Sequence, residues 1–189
     1  MQREYESWQD VHLFFYIGKG DSWTISICNG TQRDEEIDFA QKADDDAFVH
    51  VPNLVKRLQS LTQPGMNLNG EMLTRIDGVY LGRICPVRPT STFKCGMGYV
   101  LSWDLVDWIS SNPFAFENRI GVEDQRVDLW VRTSGKLKQD IKEGPDLFYD
   151  SPGSGALWAH DYTPNTIVIH QLKNTTLYLQ AAAHFVLSD

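Results

Sequence analysis

Short apolar runs separated by polar turns follow one another along the chain, and their lengths predict strands. The runs lie at residues 11–17, 37–40, 48–51, 79–84 and 166–170. A continuous apolar run of about four to eight residues between turn residues is typical of a strand buried in a sheet, because helices need longer segments. Gly18 and Gly20 follow the first run as a turn signal, and the second run leads directly into an acidic cluster.

Four other segments carry helical signals. Pro52 stands at a first-turn position, and apolar residues at 54, 55, 58 and 61 follow it at helical spacing. Ser102 is a candidate N-cap for a helix at residues 103–110, whose first turn carries Asp104. Residues 123–131 predict a helix with acids in its first turn, and residues 177–187 predict a closing amphipathic helix.

The remaining segments predict loops, because they are polar and rich in Gly, Pro and Asn. They are residues 63–70, a tight flexible segment at 96–98 and a mobile loop at 136–155. The alternation of strands and helices predicts an α/β layer architecture in one domain of 189 residues.

Composition and charge narrow the function classes. Hydrophobic residues make up 42% of the chain, enough for a folded core. The net charge of −8 argues against a nucleic-acid partner, which needs clustered Lys and Arg. No apolar stretch has the length that spans a bilayer, and the polar N-terminus is not a signal peptide.

The chain has three cysteines, Cys28, Cys85 and Cys95. Their odd number leaves at least one without an intrachain partner, and their spacings match no zinc site. A disulfide of Cys28 with Cys85 or Cys95 is expected only in an oxidising compartment. The alternative is that all three are small buried apolar side chains.

Asp44, Asp45 and Asp46 lie between two apolar runs and are the first candidates for chemistry. Neighbouring carboxylates repel one another and resist burial unless a cation neutralises them. Mn²⁺ and Mg²⁺ prefer oxygen ligands, so a metal site fits this cluster. A solvated acidic turn is the better explanation of the triplet taken alone, but the apolar flanks, with Phe39 and Phe48, favour a site.

Glu123 and Asp124 form a second acidic pair. A carboxylate beside a bound acceptor can serve as a general base that takes a proton from the attacking hydroxyl. Acids are also enriched at helix N-termini for electrostatic reasons, and without other information that explanation is favoured.

His170 ends an apolar run and can complete a metal site with carboxylates, although a backbone-bonded histidine is the commoner case. His160, next to Asp161, is a rival for the same role. Gly96 and Gly98 allow a backbone to approach a ligand closely, or they mark a turn.

Taken in order, four segments resemble the β-1,3-galactosyltransferase and N-acetylglucosaminyltransferase family, glycosyltransferase family thirty-one, and above all its protozoan surface-glycan branch. The segments are residues 42–49 (KADDDAFV), 95–106 (CGMGYVLSWDLV), 122–127 (VEDQRV) and 166–172 (TIVIHQL). The resemblance spans nearly the whole chain, and against that family the chain is expected to be truncated at its N-terminus.

The resemblance implies a partial GT-A type nucleotide-diphospho-sugar transferase fold that lacks its N-terminal strands. Residues 1–60 would form the donor and metal half, and residues 61–189 the acceptor half. The implied metal ligands are Asp46, Asp44 and His170, and the implied donor-site residues are Asp44, Asp45, Asp46, Gly96 and Gly98. Asp124, with Glu123 beside it, would be the catalytic base of an inverting transfer.

The same resemblance implies the partners of the protein. The cofactor would be Mn²⁺, with Mg²⁺ as the alternative ion, and the donor would be UDP-galactose or UDP-N-acetylglucosamine. The acceptor would be a glycan on a glycoprotein or glycolipid, joined through a β-1,3 linkage. The protein would act on the lumenal side of the Golgi membrane, held there only by an anchor absent from this chain.

Two alternatives remain open at this stage. Gln125 and Asp128 stand where the family usually has a hydrophobic residue and a glycine. That departure favours a degenerate, non-catalytic relative that binds glycans or acts as a scaffold. An unrelated domain with an acidic surface turn is the third explanation.

Overall fold

The computed structural model describes residues 11–17, 22–29, 37–61, 77–85 and 91–186. The strands are β1 Val11–Ile17, β2 Ser22–Asn29, β3 Ile37–Asp44, β4 Phe48–Val49, β5 Val79–Ile84, β6 Lys94–Ser102, β7 Gln139–Lys142, β8 Phe148–Asp150 and β9 Val168–His170. The helices are α1 Val51–Leu61, α2 Trp103–Ser111, α3 Pro113–Glu117, α4 Glu123–Thr133 and α5 Thr175–Val186. None of the helices in these ranges is long and apolar enough to cross a membrane.

The strands form two sheets. The larger has the order β1-β2-β3-β6-β5-β7, and the smaller has the order β4-β9-β8. Most pairs are antiparallel, but β5 with β7 and β8 with β9 are parallel. This mixed α/β arrangement confirms the predicted fold class and is consistent with a partial GT-A type fold.

Apolar side chains cover both faces of the larger sheet in the described part of its centre, at β3, β5 and β6. On one face, α1 packs Leu54, Val55 and Leu58 against the sheet, as their helical spacing predicts. The cluster on that face contains Phe39, Val51, Leu54, Val55, Leu58, Val79, Leu81, Cys95, Met97, Val100, Phe148, Ile167 and Val168. On the other face, α2 and α4 pack against the tyrosines of β5 and β6. The acidic triplet lies at the C-terminal end of β3, an interior strand of this sheet.

The prediction of a flexible segment at residues 96–98 is wrong, because these residues lie inside the nine-residue strand β6 between β3 and β5. The two glycines are needed for close packing. A Cβ on Gly98 would lie 3.1 Å from Val168 Cγ2, and a Cβ on Gly96 would lie 3.2 Å from Asp44 Oδ2. Glycine in a strand interior therefore marks an approach by other groups rather than a turn.

Gly98→Val is expected to destabilise the fold by about 1–3 kcal/mol, because the added methyl groups meet Val168 in a packed core. Chemical denaturation of the variant measures this loss. In a Val168→Ala background the cost of the same substitution should shrink, since the neighbour that it meets is smaller. An equal cost in both backgrounds would contradict the close packing of these two residues.

The prediction of a mobile loop at residues 136–155 is also wrong, because this segment contains two strands, β7 and β8. The residues of β7 are mostly polar, so periodicity does not detect the strand, which ion pairs hold in the sheet. The Lys94 ammonium is fully buried and lies 2.6 Å from Asp140 Oδ1, while Arg132 contacts the other oxygen of the same carboxylate at 2.9 Å. A buried ammonium and its partly exposed carboxylate partner take the place of the apolar side chains that periodicity detects.

Ser102 does not cap α2 with its side chain, although it occupies the N-cap position. Its hydroxyl accepts a hydrogen bond from the Val79 backbone and donates one to Asp104. The residue therefore links β5 to β6. Two elements carried no prediction: β2, and the short helix α3, which begins at Pro113.

Cys85 and Cys95 are free thiols that lie close enough for a hydrogen bond between them. Burial raises the pKa of both thiols above the ordinary value. The side chain of Cys28, the third cysteine, lies outside the described residues.

Candidate active site

The acidic triplet forms the turn that ends β3. Asp44 is the last residue of the strand, and the Ala47 backbone amide donates a 3.1 Å hydrogen bond to the Asp44 carbonyl. This turn gives the three carboxylates different environments. Asp46 is buried, Asp44 is half-buried and Asp45 is exposed. Two of the three side chains therefore face the protein, which a solvated acidic turn does not require.

His170 lies against these two carboxylates because of the pairing in the smaller sheet. β4 follows the triplet directly and pairs with β9, whose last residue is His170. The His170 Nε2 atom lies 3.2 Å from Asp46 Oδ1 and 3.6 Å from Asp44 Oδ2. Asp44, Asp46 and His170 each offer one ligand atom, and these atoms lie within 4.8 Å of one another.

Asp150 holds the other side of the His170 ring. It is the last residue of β8 and stands opposite His170 in the parallel pair of β8 and β9. Its Oδ1 atom lies 2.8 Å from His170 Nδ1. A neutral ring that donates from Nδ1 to Asp150 turns the Nε2 lone pair towards the carboxylates of Asp44 and Asp46. That arrangement is repulsive unless a proton or a metal ion stands between the three groups.

The donor set fits a divalent cation. It combines two carboxylate oxygens with one imidazole nitrogen, and an outer carboxylate fixes the tautomer of the ring, as is usual for histidines that ligate metals. Asp46 Oδ2 is buried, and the group that contacts it is a cation, the Lys173 ammonium. Gly96 leaves room beside Asp44 Oδ2 that a side chain would fill. These residues can therefore hold Mn²⁺ or Mg²⁺, of which Mn²⁺ accepts the nitrogen ligand more readily.

The segment after His170 folds back over the triplet. Gln171 has a φ of 63°, and the Leu172 amide then donates a 2.9 Å hydrogen bond to the Asp46 carbonyl. This turn brings the Lys173 ammonium against Asp46 Oδ2. The hydrogen bond to Asp46 and the charges of the triplet raise the pKa of Lys173.

Lys42 connects the triplet to the second acidic pair. It lies two residues before Asp44 on β3, so both side chains point to the same face of the sheet. The Lys42 ammonium lies 2.5 Å from Asp44 Oδ1, 2.8 Å from the Gly96 carbonyl and 3.3 Å from Glu123 Oε2. One cation therefore joins β3, β6 and the N-terminus of α4.

Glu123 and Asp124 begin α4 and have different surroundings. The Tyr99 hydroxyl donates to Glu123 Oε1, and Lys42 holds the other oxygen. Asp124 Oδ1 accepts a 2.9 Å hydrogen bond from the Gln125 amide. Burial raises the pKa of Asp124 and the Glu123 charge adds to this, while backbone hydrogen bonds from Gln125 and Gly96 and the charge of Lys42 oppose it. Asp124 thus lies near Gly96 and Lys42, beside the metal-binding group.

His160 is not part of the group of converging ligand atoms, although its backbone amide donates a 3.2 Å hydrogen bond to the Asp150 carbonyl. Its Nδ1 atom is 2.6 Å from the Asp161 carbonyl oxygen, and its ring packs against Tyr149 at 5.2 Å between centroids. The structure therefore brings His170, and not its rival, to the carboxylates of the triplet.

Three residues of this site, Lys42, Asp150 and Lys173, were absent from the sequence-based candidates. Only Lys42 has a usable signal, because the two-residue spacing from Asp44 on a strand places both side chains on one face. Asp150 depends on the register of β8 with β9, and Lys173 depends on the left-handed conformation of Gln171. Neither feature can be read from residue spacing.

Comparison with known proteins gives weak but convergent similarities. UDP-GalNAc:beta-1,3-N-acetylgalactosaminyltransferase 2 of Xenopus tropicalis is 24% identical over 178 residues, which cover 89% of this chain and 36% of the relative. The protein of the same name from Danio rerio is 32% identical over 113 residues, 55% of this chain and 22% of the relative. Human lactosylceramide 1,3-N-acetyl-beta-D-glucosaminyltransferase is 24% identical over 139 residues, 63% of this chain and 32% of the relative.

The chain spans about a third or less of the length of these curated relatives. No family model matches it, and no solved structure matches it. The named relatives are all β-1,3-glycosyltransferases, so the similarities support a relationship to enzymes of that type.

Proposed function

We propose that the protein is part of the catalytic domain of an inverting β-1,3-hexosyltransferase, which transfers a sugar from a UDP-sugar to a glycan hydroxyl with the help of Mn²⁺. The observation that carries the proposal is the convergence of Asp44, Asp46 and His170, with Asp150 behind the histidine. The names of the relatives support the reaction type. The names also make N-acetylgalactosamine a candidate donor sugar, beside galactose and N-acetylglucosamine.

The metal-binding residues would serve the leaving group. A divalent cation bound there offsets the negative charge that develops on the UDP diphosphate as the sugar departs. Asp44 and Asp46 would hold the ion through oxygen, and His170 through Nε2, in the orientation that Asp150 fixes. Asp45 is exposed beside this group and would face the donor together with the backbone at Gly96, whereas Gly98 is buried against Val168.

Asp124 would serve the acceptor. The acceptor oxygen forms a bond to the anomeric carbon, the bond from that carbon to the UDP oxygen breaks, and the hydroxyl proton passes to the Asp124 carboxylate. Glu123 is less suited to this step, because Tyr99 and Lys42 already contact its two oxygens. Its part would be to hold Lys42 and the start of α4 in place.

The finer assignments rest on the sequence resemblance. They are membership of the protozoan surface-glycan branch, a glycoprotein or glycolipid acceptor, and a position on the lumenal side of the Golgi membrane. The division into a donor half at residues 1–60 and an acceptor half at residues 61–189 has the same basis. His170, from the second part, lies against Asp44 and Asp46 from the first, so both parts contribute to the proposed metal site.

A donor screen tests the proposal. This chain and a form extended at its N-terminus are incubated with UDP-galactose, UDP-N-acetylglucosamine or UDP-N-acetylgalactosamine, and the release of UDP is measured. We expect release with at least one donor, loss of release with EDTA and its recovery with Mn²⁺. If neither form binds UDP or releases it in the presence of Mn²⁺, the enzymatic function is wrong and the non-catalytic, glycan-binding alternative replaces it.

A further inference from the structure

Lys173 is the most exposed of the charged groups that contact the proposed metal ligands. Its side chain is 63% exposed, whereas that of Asp46, which its ammonium touches, is 11% exposed. The backbone beneath it is nevertheless fixed, because the preceding residue, Leu172, donates a hydrogen bond to the Asp46 carbonyl. The site therefore carries a cation with an anchored backbone and a largely exposed side chain, whose ammonium contacts Asp46.

The position of this ammonium conflicts with that of a bound metal. Asp46 faces His170 through Oδ1 and Lys173 through Oδ2, and it is one of the three ligands of the metal-binding group. A divalent cation held by Asp44, Asp46 and His170 would lie within a few ångströms of the ammonium and repel it. The same ion would satisfy the carboxylate that holds Lys173. Metal binding therefore removes the attraction and adds a repulsion.

Once released from Asp46, the Lys173 ammonium could pair with the diphosphate of the donor. The diphosphate of a nucleotide-sugar donor would bring negative charge to the bound metal ion, and the side chain of Lys173 is exposed and long enough to pair with such a charge. A lysine suits this exchange because its ammonium is a compact charge with rotatable donors and does not need the fixed bidentate geometry of an arginine.

We propose that Lys173 is an internal counter-cation of the metal site that leaves Asp46 when the divalent ion binds and then pairs with the diphosphate of the donor. The inference rests on the proposed function, since it takes the metal and the UDP-sugar as the ligands of this site. It adds a donor-binding residue to the acidic triplet and His170. It also makes two predictions of opposite sign for one substitution.

Lys173→Met keeps the apolar stem and removes the charge. Without the competing ammonium, binding of Mn²⁺ alone should become about three- to tenfold tighter. Binding of UDP at saturating Mn²⁺ should become about tenfold weaker, because one charge-assisted contact to phosphate is lost. Isothermal titration calorimetry with Mn²⁺, and then with UDP, measures the two constants. Lys173→Arg keeps the charge and should stay within about threefold of the unmodified protein in both titrations.

Lys136→Met is the matched control, with the same charge change at an exposed site. The Lys136 carbonyl lies beside Gly78 at the start of β5, and β5 pairs there with the end of β6, away from Gly96 and Asp44. Circular dichroism and thermal melting show whether each variant is folded. Both affinities of the control should match those of the unmodified protein.

The outcomes separate this inference from the function on which it rests. Tighter Mn²⁺ binding with weaker UDP binding in Lys173→Met supports the exchange. Weaker binding of both ligands means that Lys173 only holds Asp46 in place, and unchanged UDP binding means that it does not meet the diphosphate; either result overturns the inference and leaves the proposed function standing. If the unmodified protein binds neither Mn²⁺ nor UDP, both the function and the inference fail.

Discussion

Asp46→Ala is expected to abolish Mn²⁺-dependent turnover of UDP-sugars and to weaken Mn²⁺ binding. Loss of a residue that only supports a metal ligand weakens binding by about 10–100-fold, and loss of a ligand itself should cost more. Asp46 is the buried member of the triplet, and its carboxylate contacts both His170 and Lys173. The substitution removes one proposed ligand and leaves His170 and Lys173 facing an apolar methyl group. Among the described residues, the group of converging ligand atoms holds only Asp44 and His170 besides Asp46.

Two further variants show whether the effect is local. Asp107→Ala removes the same charge from an exposed position on α2 and should leave Mn²⁺ affinity and turnover unchanged. Asp45→Ala should cost less than Asp46→Ala, because the exposed Asp45 carboxylate lies outside the group that can hold the ion. Calorimetry gives the affinities, and a UDP-release assay gives turnover. Turnover retained by a folded Asp46→Ala protein would exclude this residue as a metal ligand.

The sequence predicted the parts of the site that lie on apolar elements. The run that becomes β3 leads into Asp44, and the run that becomes β9 ends at His170, so periodicity locates both ligands at strand ends. The prediction that these two ligands converge came from the resemblance and not from periodicity. The convergence itself depends on the pairing of β4 with β9, and the apolar run at residues 48–51 predicts a strand there but not its partner.

The errors share a physical cause, which is that long-range contacts override local preference. Gly96 and Gly98 are common in turns, yet they belong to a central strand because Asp44 and Val168 need the space that a side chain would take. Lys94 and Asp140 are polar and predict a solvated loop, yet they neutralise each other in the interior. Local composition describes each residue alone, whereas the partner that makes it acceptable lies tens of residues away.

The acidic pair illustrates how the geometry sharpens a prediction. Residue type alone makes Glu123 and Asp124 equivalent candidates, and only the resemblance singles out Asp124. In the structure, Glu123 is held by Tyr99 and Lys42, which leaves Asp124 as the carboxylate with fewer side-chain partners. Lys42 also contacts Asp44, so the proposed base and the proposed metal ligands share one electrostatic unit. Changes at Asp124 should therefore be read together with measurements of donor binding.

Asp124→Asn is expected to lower kcat by at least about a hundredfold while UDP affinity at saturating Mn²⁺ stays within about threefold, because a general base acts in the transfer step and not in nucleotide binding. The amide has the shape of the carboxylate and can still accept the hydrogen bond from Gln125, so α4 should stay folded. Calorimetry with UDP and steady-state kinetics with the preferred donor and acceptor separate the two effects. Loss of UDP binding would instead give Asp124 a donor-side or structural role.

The pH dependence gives this last prediction a second readout. Burial raises the pKa of Asp124 and the Glu123 charge adds to the rise, so the active, deprotonated base should be lost at a pH above the range of an ordinary aspartate. The kcat/KM of the unmodified enzyme should thus fall as the pH drops through this raised pKa, and the residual activity of Asp124→Asn should lack that acidic limb. Glu123→Gln should retain the limb, since Glu123 holds Lys42 rather than taking the proton. If Glu123→Gln loses the limb and Asp124→Asn keeps it, the base is Glu123.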